Sequence, residues 1–359
     1  RQLSAHEIGH TLGFSHNFAA STNGRTSVMD YPHPKLSIKN NKIDFSNAYD
    51  DKIGDWDKVT VAYSYQDFPE TTDENEALNK ILVDAYAKGL KYLSDADARP
   101  QGSASATAHL WDNGGAIYDE LHTVLKIRRK AIENFSIDNI KTGEPYSVLE
   151  DVFVPLYFFH RYQTEATTKL IGGLNYNYAV KGGNQTVVKR VSGSTERKAL
   201  KAVLQTIAVD EIAIPKEKLA LFPPRAIGYG RTRESFKSKV GVAFDAFAAV
   251  ETASAMTLDL LLNPQRMSRL ISHKSLNEKQ LGLGELIDEL IVKTIKKTHK
   301  DSYYQELQCI INTKVLEQLF NLGANTNQYK QVNAIVLSKL IEIEKLIRNK
   351  NSKGTQKIY

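Results

Sequence analysis

The segment from His6 to His16, which reads HEIGHTLGFSH, constrains this 359-residue chain more than any other. On an α-helix, His6 and His10 are separated by about 400°, so both imidazoles lie on one face, one turn apart. They can therefore converge on one metal ion at the roughly 2.0–2.1 Å that zinc requires from nitrogen. Gly13 can adopt a positive φ at little cost, which would end the helix and let His16 approach from another direction.

This spacing predicts a catalytic rather than a structural metal site. Three neutral imidazole nitrogens with an open fourth position are typical of catalytic zinc. Glu7 stands next to the first histidine, where its carboxylate can reach a metal-bound water without ligating the metal. We therefore predict that His6, His10 and His16 bind Zn²⁺ and that Glu7 is a general base.

Composition excludes several other kinds of site. The only cysteine, Cys309, excludes an internal disulfide, a cysteine-based metal site and a CxxC redox pair. No run of about 18 uncharged apolar residues occurs, so we expect no membrane-spanning helix. The net charge of +6 comes from scattered basic residues that do not alternate with stacking aromatics, so we expect no nucleic-acid partner.

The pattern along the chain predicts a mainly α fold with a minor β-hairpin, α+β overall. Apolar residues recur at helical spacing in most segments. Strand-like alternation is clearest near 174–191, where Gly182 and Gly183 separate two short runs. The predicted helices are 2–13, one after Gly54, one to about Leu93, one from Gly115 to about Phe135, one from Pro145 to about Leu170, and 194–208, 243–262, 279–298, 302–322 and 327–348. In the last of these, an apolar stripe of Val332, Val336, Leu340, Ile343 and Ile347 should face the core.

A second motif gives the zinc segment a family resemblance. Ser27-Val28-Met29-Asp30-Tyr31 follows the third histidine in a polar loop and resembles the methionine turn of the metzincin metalloproteases, in which the methionine forms an apolar floor below the zinc histidines. The string HEIGHTLGFSHN is similar to the metzincin zinc signature. With DARPQGSA at 97–104 and HLWDNGG at 109–115, nearly the whole chain resembles the C-terminal zinc-binding portion of the large bacterial Met-zincin family.

The resemblance implies further roles. It assigns the turn methionine to Met29 and a metal-proximal phenol, as extra ligand or oxyanion donor, to Tyr31. It implies that 1–68 is the C-terminal half of a metzincin catalytic domain, with zinc helix, methionine turn and closing helix, and that 69–359 is a helical C-terminal region. The residue after the third histidine is Asn17, whereas the best-known metzincin groups have Asp, Glu or Ser there. An exported bacterial protein (periplasmic, cell-surface or secreted) is implied, with its leader outside this chain.

These features favour a zinc-dependent endopeptidase acting on a peptide or protein substrate. The alternative is a non-catalytic helical binding or scaffold region with a vestigial zinc site, against which the intact Glu7 argues. Metzincins place a twisted sheet before the zinc helix, so we expect the N-terminal part of the same polypeptide to complete the domain. Without it, the apolar side chains of Leu3, Ile8, Leu12 and Phe14 lack part of their expected packing partner. We therefore expect the isolated chain to self-associate or to be locally disordered, and to be weakly active or inactive.

Overall fold

Helices dominate the fold, which confirms the predicted class, mainly α with a minor β part. The structure is a computed structural model that describes residues 1–183 and 185–352, with side chains described up to residue 349. Fifteen α-helices lie within this part of the chain: α1 (Gln2–Thr11), α2 (Asp55–Tyr65), α3 (Glu74–Ala87), α4 (Asp95–Ala98), α5 (Ile117–Asn134), α6 (Leu149–Tyr157), α7 (Arg161–Lys169), α8 (Gly193–Gln205), α9 (Val209–Ile212), α10 (Lys216–Leu219), α11 (Ala246–Leu261), α12 (Pro264–Leu276), α13 (Leu283–Lys293), α14 (Ser302–Ala324) and α15 (Lys330–Ser352).

Two short antiparallel hairpins supply the β structure of the described residues. The predicted hairpin is present, with β3 (Leu174–Tyr176) paired to β4 (Val188–Arg190). A second, unpredicted hairpin pairs β1 (Ser37–Lys39) with β2 (Lys42–Asp44) in a segment that the sequence suggested to be a loop. Asn40 and Asn41 form its turn with φ of 50° and 60°, the left-handed values that a tight two-residue turn requires and that asparagine tolerates.

The predicted helices differ from the observed ones in several places. The helix predicted from Pro145 to Leu170 is two helices, α6 and α7, separated by three residues; Pro155 lies inside α6 and cannot donate a backbone hydrogen bond there. The unpredicted α12 begins with Pro264 after an Asn263 cap, a common start signal. The first helix ends at Thr11 rather than at residue 13.

In the part of the chain that the structure describes, no helix is both long and apolar enough to cross a membrane.

The main apolar core lies among the helices after α4. There α11 packs against α14, α14 against α15, and α7 against α5 and α8. On α15, Val332, Val336 and Ile343 are buried while Leu340 and Ile347 pack at the edge, which confirms the predicted stripe.

Two smaller apolar clusters join the first 68 residues to the segment that contains α3 and α4. Phe18 packs with Leu93, Ala98 and Ala108, and Trp56 of α2 packs with residues of and after α3. The side chain of Asn17 reinforces the first contact because it donates to the Lys91 carbonyl over 2.8 Å. The segments 1–68 and 69–359 therefore contact each other closely; their division into two domains stays a prediction.

Candidate metal centre

The three histidines of the first segment form one cluster. His6 and His10 lie one turn apart on α1 with ring centroids 4.7 Å apart, and the His16 ring is 4.8 Å from that of His10. One nitrogen from each ring lies within 4.8 Å of the other two. A tetrahedral zinc ion at roughly 2.0–2.1 Å from each would space the nitrogens about 3.3 Å apart, so small side-chain rotations would complete the site. The residues present therefore fit zinc in number, type and spacing.

The other nitrogen of each ring faces an oxygen acceptor. Nδ1 of His6 lies 2.7 Å from the Val28 carbonyl oxygen, and Nδ1 of His10 lies 2.9 Å from that of Phe14. Nδ1 of His16 lies 2.9 Å from a carboxylate oxygen of Asp95. Because an Nδ1–H that donates to oxygen leaves Nε2 as the unprotonated nitrogen, all three rings are arranged to offer Nε2 to a metal.

The turn that delivers His16 follows directly from Gly13. Gly13 has φ of +85°, and its N–H donates to the His10 carbonyl over 3.0 Å. The Phe14 N–H donates to the Gly9 carbonyl, also over 3.0 Å. These two bonds and the left-handed glycine are the Schellman motif that ends many helices. The chain reverses direction within three residues, and the His16 ring therefore approaches the face of α1 that carries His6 and His10.

The segment 27–31 is anchored by Asp57, which sequence reasoning missed. The buried Asp57 carboxylate, on the first turn of α2, accepts hydrogen bonds from the Ser27 hydroxyl at 2.6 Å and the Val28 N–H at 2.9 Å. It also accepts from the Gly54 N–H at 2.6 Å. The only sequence signal was an acidic residue at the third position of the helix, a common capping position. The bonds hold the Val28 carbonyl that faces His6.

Tyr31 lies beside the cluster. Its hydroxyl is 2.9 Å from Nε2 of His16, the nitrogen that would face a metal. The indole of Trp111 stacks on the Tyr31 ring with centroids 5.5 Å apart. Trp111 has φ of +53°, which costs a bulky residue free energy and persists only where the surroundings impose it. The backbone N–H of Trp111 donates to the Tyr31 carbonyl over 2.7 Å, and this bond supplies part of that constraint.

A cavity of about 590 Å³ opens in front of these residues. The exposed Glu7 side chain shares its wall with His6, Tyr31 and Trp111. The remaining lining is Arg1, Gln2, Leu3, Val28, Asp30, Pro32, Tyr49, Asp50 and Asp51. A peptide chain in this cavity could therefore contact His6 and Glu7 together, whereas His10 and His16 are not part of its lining. Met29 is buried against Gly9 of α1.

Two carboxyl groups, those of Asp30 and Asp112, are buried in and beside the segment 27–31. Burial, and then the charge of Asp112, raise the pKa of Asp30 well above its usual range. Burial raises the pKa of Asp112 to about 7 against an opposing hydrogen bond from Ser21. The same Ser21 donates its N–H to Asp30 over 3.0 Å. Burial is thus the main cause of the raised pKa of both carboxyl groups.

Asp95, unlike that pair, stays ionised. Burial by itself would raise the pKa of Asp95, but the hydrogen bonds from His16 and Arg99 outweigh it and lower the pKa to about 2.

His33 lies outside the cluster and is buried against Phe159, although a position between two prolines is typical of an exposed loop. Burial, with the charges of Arg161 and Arg25, lowers the pKa of His33 to about 4.

Comparison with known proteins agrees with this geometry. The sequence profile of a family described as Met-zincin matches residues 1–302, most of the chain. No curated protein and no solved structure matches the chain significantly. The matched residues run from the three histidines through α4 and Trp111 to the beginning of α14, so the histidine cluster and the residues around it lie within the match. The chain belongs to the Met-zincin family.

Proposed function

We propose that this chain carries the catalytic zinc site of an endopeptidase that cleaves peptide bonds in a protein or peptide substrate. The observation that carries the proposal is the common orientation of three imidazoles, each with Nδ1 against an oxygen, which leaves Nε2 as the unprotonated nitrogen that can bind a metal. Such an arrangement is costly to assemble for packing alone, and it matches the donor set of catalytic zinc. His6, His10 and His16 would hold the ion.

The chain's own groups have distinct tasks in the proposed reaction. Zinc, when bound, supplies a Lewis acid that activates water and polarises the substrate carbonyl. The Glu7 carboxylate accepts a proton from the attacking water and then delivers it to the leaving amine, so the proton count balances. The Tyr31 hydroxyl lies next to Nε2 of His16, and its proposed task is to donate a hydrogen bond to the developing oxyanion.

The decisive experiment, done on the complete polypeptide, replaces Glu7 by Gln, which keeps the size of the side chain and removes its basicity. We expect zinc content, measured by atomic absorption on the purified protein, to stay the same. Hydrolysis of a denatured protein substrate should fall by a factor of roughly 10² to 10⁴, the usual contribution of general acid–base catalysis. Full activity in Glu7→Gln would refute the mechanism. A wild-type protein that binds zinc and never cleaves peptides would favour the scaffold alternative.

Two broader parts of the proposal rest on the family. We propose that the protein is exported in a bacterium, to the periplasm, the cell surface or the medium. We also propose that 1–68 supplies the ligands and the general base while 69–359 supports them. Fractionation of cells that express the protein, followed by immunoblotting of cytosol, periplasm and medium, tests the first part; recovery only in the cytosol would exclude it.

A further inference from the structure

The third histidine is held differently from the other two. The acceptors for His6 and His10 are backbone carbonyls, which every sequence supplies. The acceptor for His16 is the Asp95 side chain, 79 residues further along the chain and on α4. His16 also lies beyond the end of α1, so the helix itself does not orient its ring. The orientation of this one imidazole therefore depends on a specific residue outside the zinc motif.

Asp95 is itself fixed by its neighbours. Arg99, one turn later, donates from Nε to one carboxylate oxygen, and the Ser94 hydroxyl approaches the other at 3.2 Å. The Arg99 guanidinium lies over the rings of Phe18 and Tyr31, 5.8 and 5.9 Å from their centroids. The carboxylate thus has its position set by an arginine that also covers the phenol beside His16.

The segment that carries Asp95 is attached to the helical core. The buried Lys169 of α7 donates to the Ala98 carbonyl at the end of α4. Arg269 of α12 donates to the carbonyls of Gly102 at 2.8 Å and Ser103 at 3.1 Å. These cation–carbonyl bonds hold α4 and the following loop in place. The position of Asp95 is therefore decided by helices of the 69–302 part of the chain.

We propose that Asp95 is a positioning residue that orients His16 for zinc through its Nδ1–H, so that the helical region controls metal affinity. This inference rests on the proposed zinc function. A carboxylate on the Nδ1–H of a ligating histidine fixes the tautomer and the ring and increases the basicity of Nε2. Loss of such a partner typically lowers metal affinity 10- to 100-fold.

The test measures zinc affinity by competition with a chromophoric chelator at constant pH. Asp95→Ala removes the acceptor and should weaken zinc binding about 10- to 100-fold. Asp95→Asn keeps an oxygen that can accept from Nδ1–H and should recover part of that loss. Asp97→Asn is the matched control on the same helix, because its side chain contacts Tyr176 and Tyr178 rather than a histidine, and it should leave affinity unchanged.

A spectroscopic measurement on the wild type keeps the inference testable if Asp95→Ala fails to fold. In the zinc-loaded protein, nitrogen-15 shifts of the His16 ring should show a protonated Nδ1 with a slowly exchanging proton, and zinc on Nε2. Zinc on Nδ1, or equal affinity in wild type and Asp95→Ala, would overturn the positioning role while leaving the zinc enzyme intact. A wild type that binds no zinc would instead overturn the proposed function.

Discussion

Met29 occupies the space that a side chain at position 9 would need. A Cβ added to Gly9, in the middle of α1 between the two helical histidines, would lie 2.3 Å from Sδ of Met29. The glycine is therefore what lets the methionine pack directly against the helix between His6 and His10. Because of this close contact, the position of α1 relative to the segment 27–31 depends on the packing of Met29 against Gly9.

Gly9→Ala should destabilise the protein by about 1–3 kcal/mol, because an extra methyl in a packed site forces Met29 to move. Urea denaturation measures the change in the free energy of unfolding. In the Met29→Ala background the same change should cost much less, since the clashing sulfur is gone. Gly284→Ala in α13 is the control: its Cβ would meet nothing within 4 Å, so it should be neutral or stabilising. Equal effects at positions 9 and 284 would contradict the packing argument.

Tyr31→Phe should separate binding from turnover. The phenyl ring keeps its stack on Trp111, so zinc content and folding should be preserved. The loss of the hydroxyl removes one proposed donor to the oxyanion, which should lower kcat roughly a hundredfold or more with a smaller change in KM. Steady-state kinetics on a fluorogenic peptide measure both constants. An unchanged kcat would identify Tyr31 as a packing residue.

Asp57→Ala should loosen the segment below His6. The change leaves the Ser27 hydroxyl, the Val28 N–H and the Gly54 N–H without their acceptor, and a lost hydrogen bond to a charged group typically costs about 1.5–3 kcal/mol. We expect a lower unfolding free energy and weaker zinc binding. Asp55→Ala, on the exposed side of the same helix turn, should change neither. If both variants behave alike, the anchoring role of Asp57 is wrong.

Acid should destabilise the helical core through His160. Burial, followed by repulsion from Arg128, lowers the pKa of His160 well below its ordinary 6.5. The unfolded chain therefore binds one more proton than the folded chain as the pH falls below about 6.5, and stability decreases by up to about 1.4 kcal/mol per pH unit. Unfolding free energies between pH 8 and 5 measure the slope. His160→Phe should make the slope smaller, while other buried histidines with a lowered pKa, such as His33, still contribute to it. An identical slope in the variant would exclude His160 as a titrating group.

The exposed apolar side chains of α1 should make the isolated chain self-associate. Leu3 and Ile8 are 71% and 58% exposed, and Leu12 is also exposed. Exposed apolar side chains of this kind favour association in water. Sedimentation velocity should show concentration-dependent oligomers that Ile8→Lys reduces. Ile227→Lys changes a fully exposed isoleucine elsewhere and should have no such effect. A monomer at all concentrations would contradict the expectation.

Short-range features of the site could be predicted from the sequence. The separation of His6 and His10 depends only on the helical period, and the turn after α1 depends only on a glycine that tolerates φ of +85°. The hairpin at 174–191 likewise follows from local alternation around two glycines. The β1–β2 turn at Asn40 and Asn41 was also local, and an asparagine pair between two short runs of alternating polar and apolar residues could have indicated it.

The supports of the site could not be predicted in this way. Asp95 reaches His16 across 79 positions and Asp57 reaches Ser27 across 30, and no spacing rule links such pairs. Their meeting is decided when α4 is anchored to the core by Lys169 and when α2 packs beside the turn. The sequence by itself therefore determined which residues can bind zinc, because helix geometry is local. Only the tertiary structure decided how their rings are oriented, because that depends on side chains that packing brings together from distant parts of the chain.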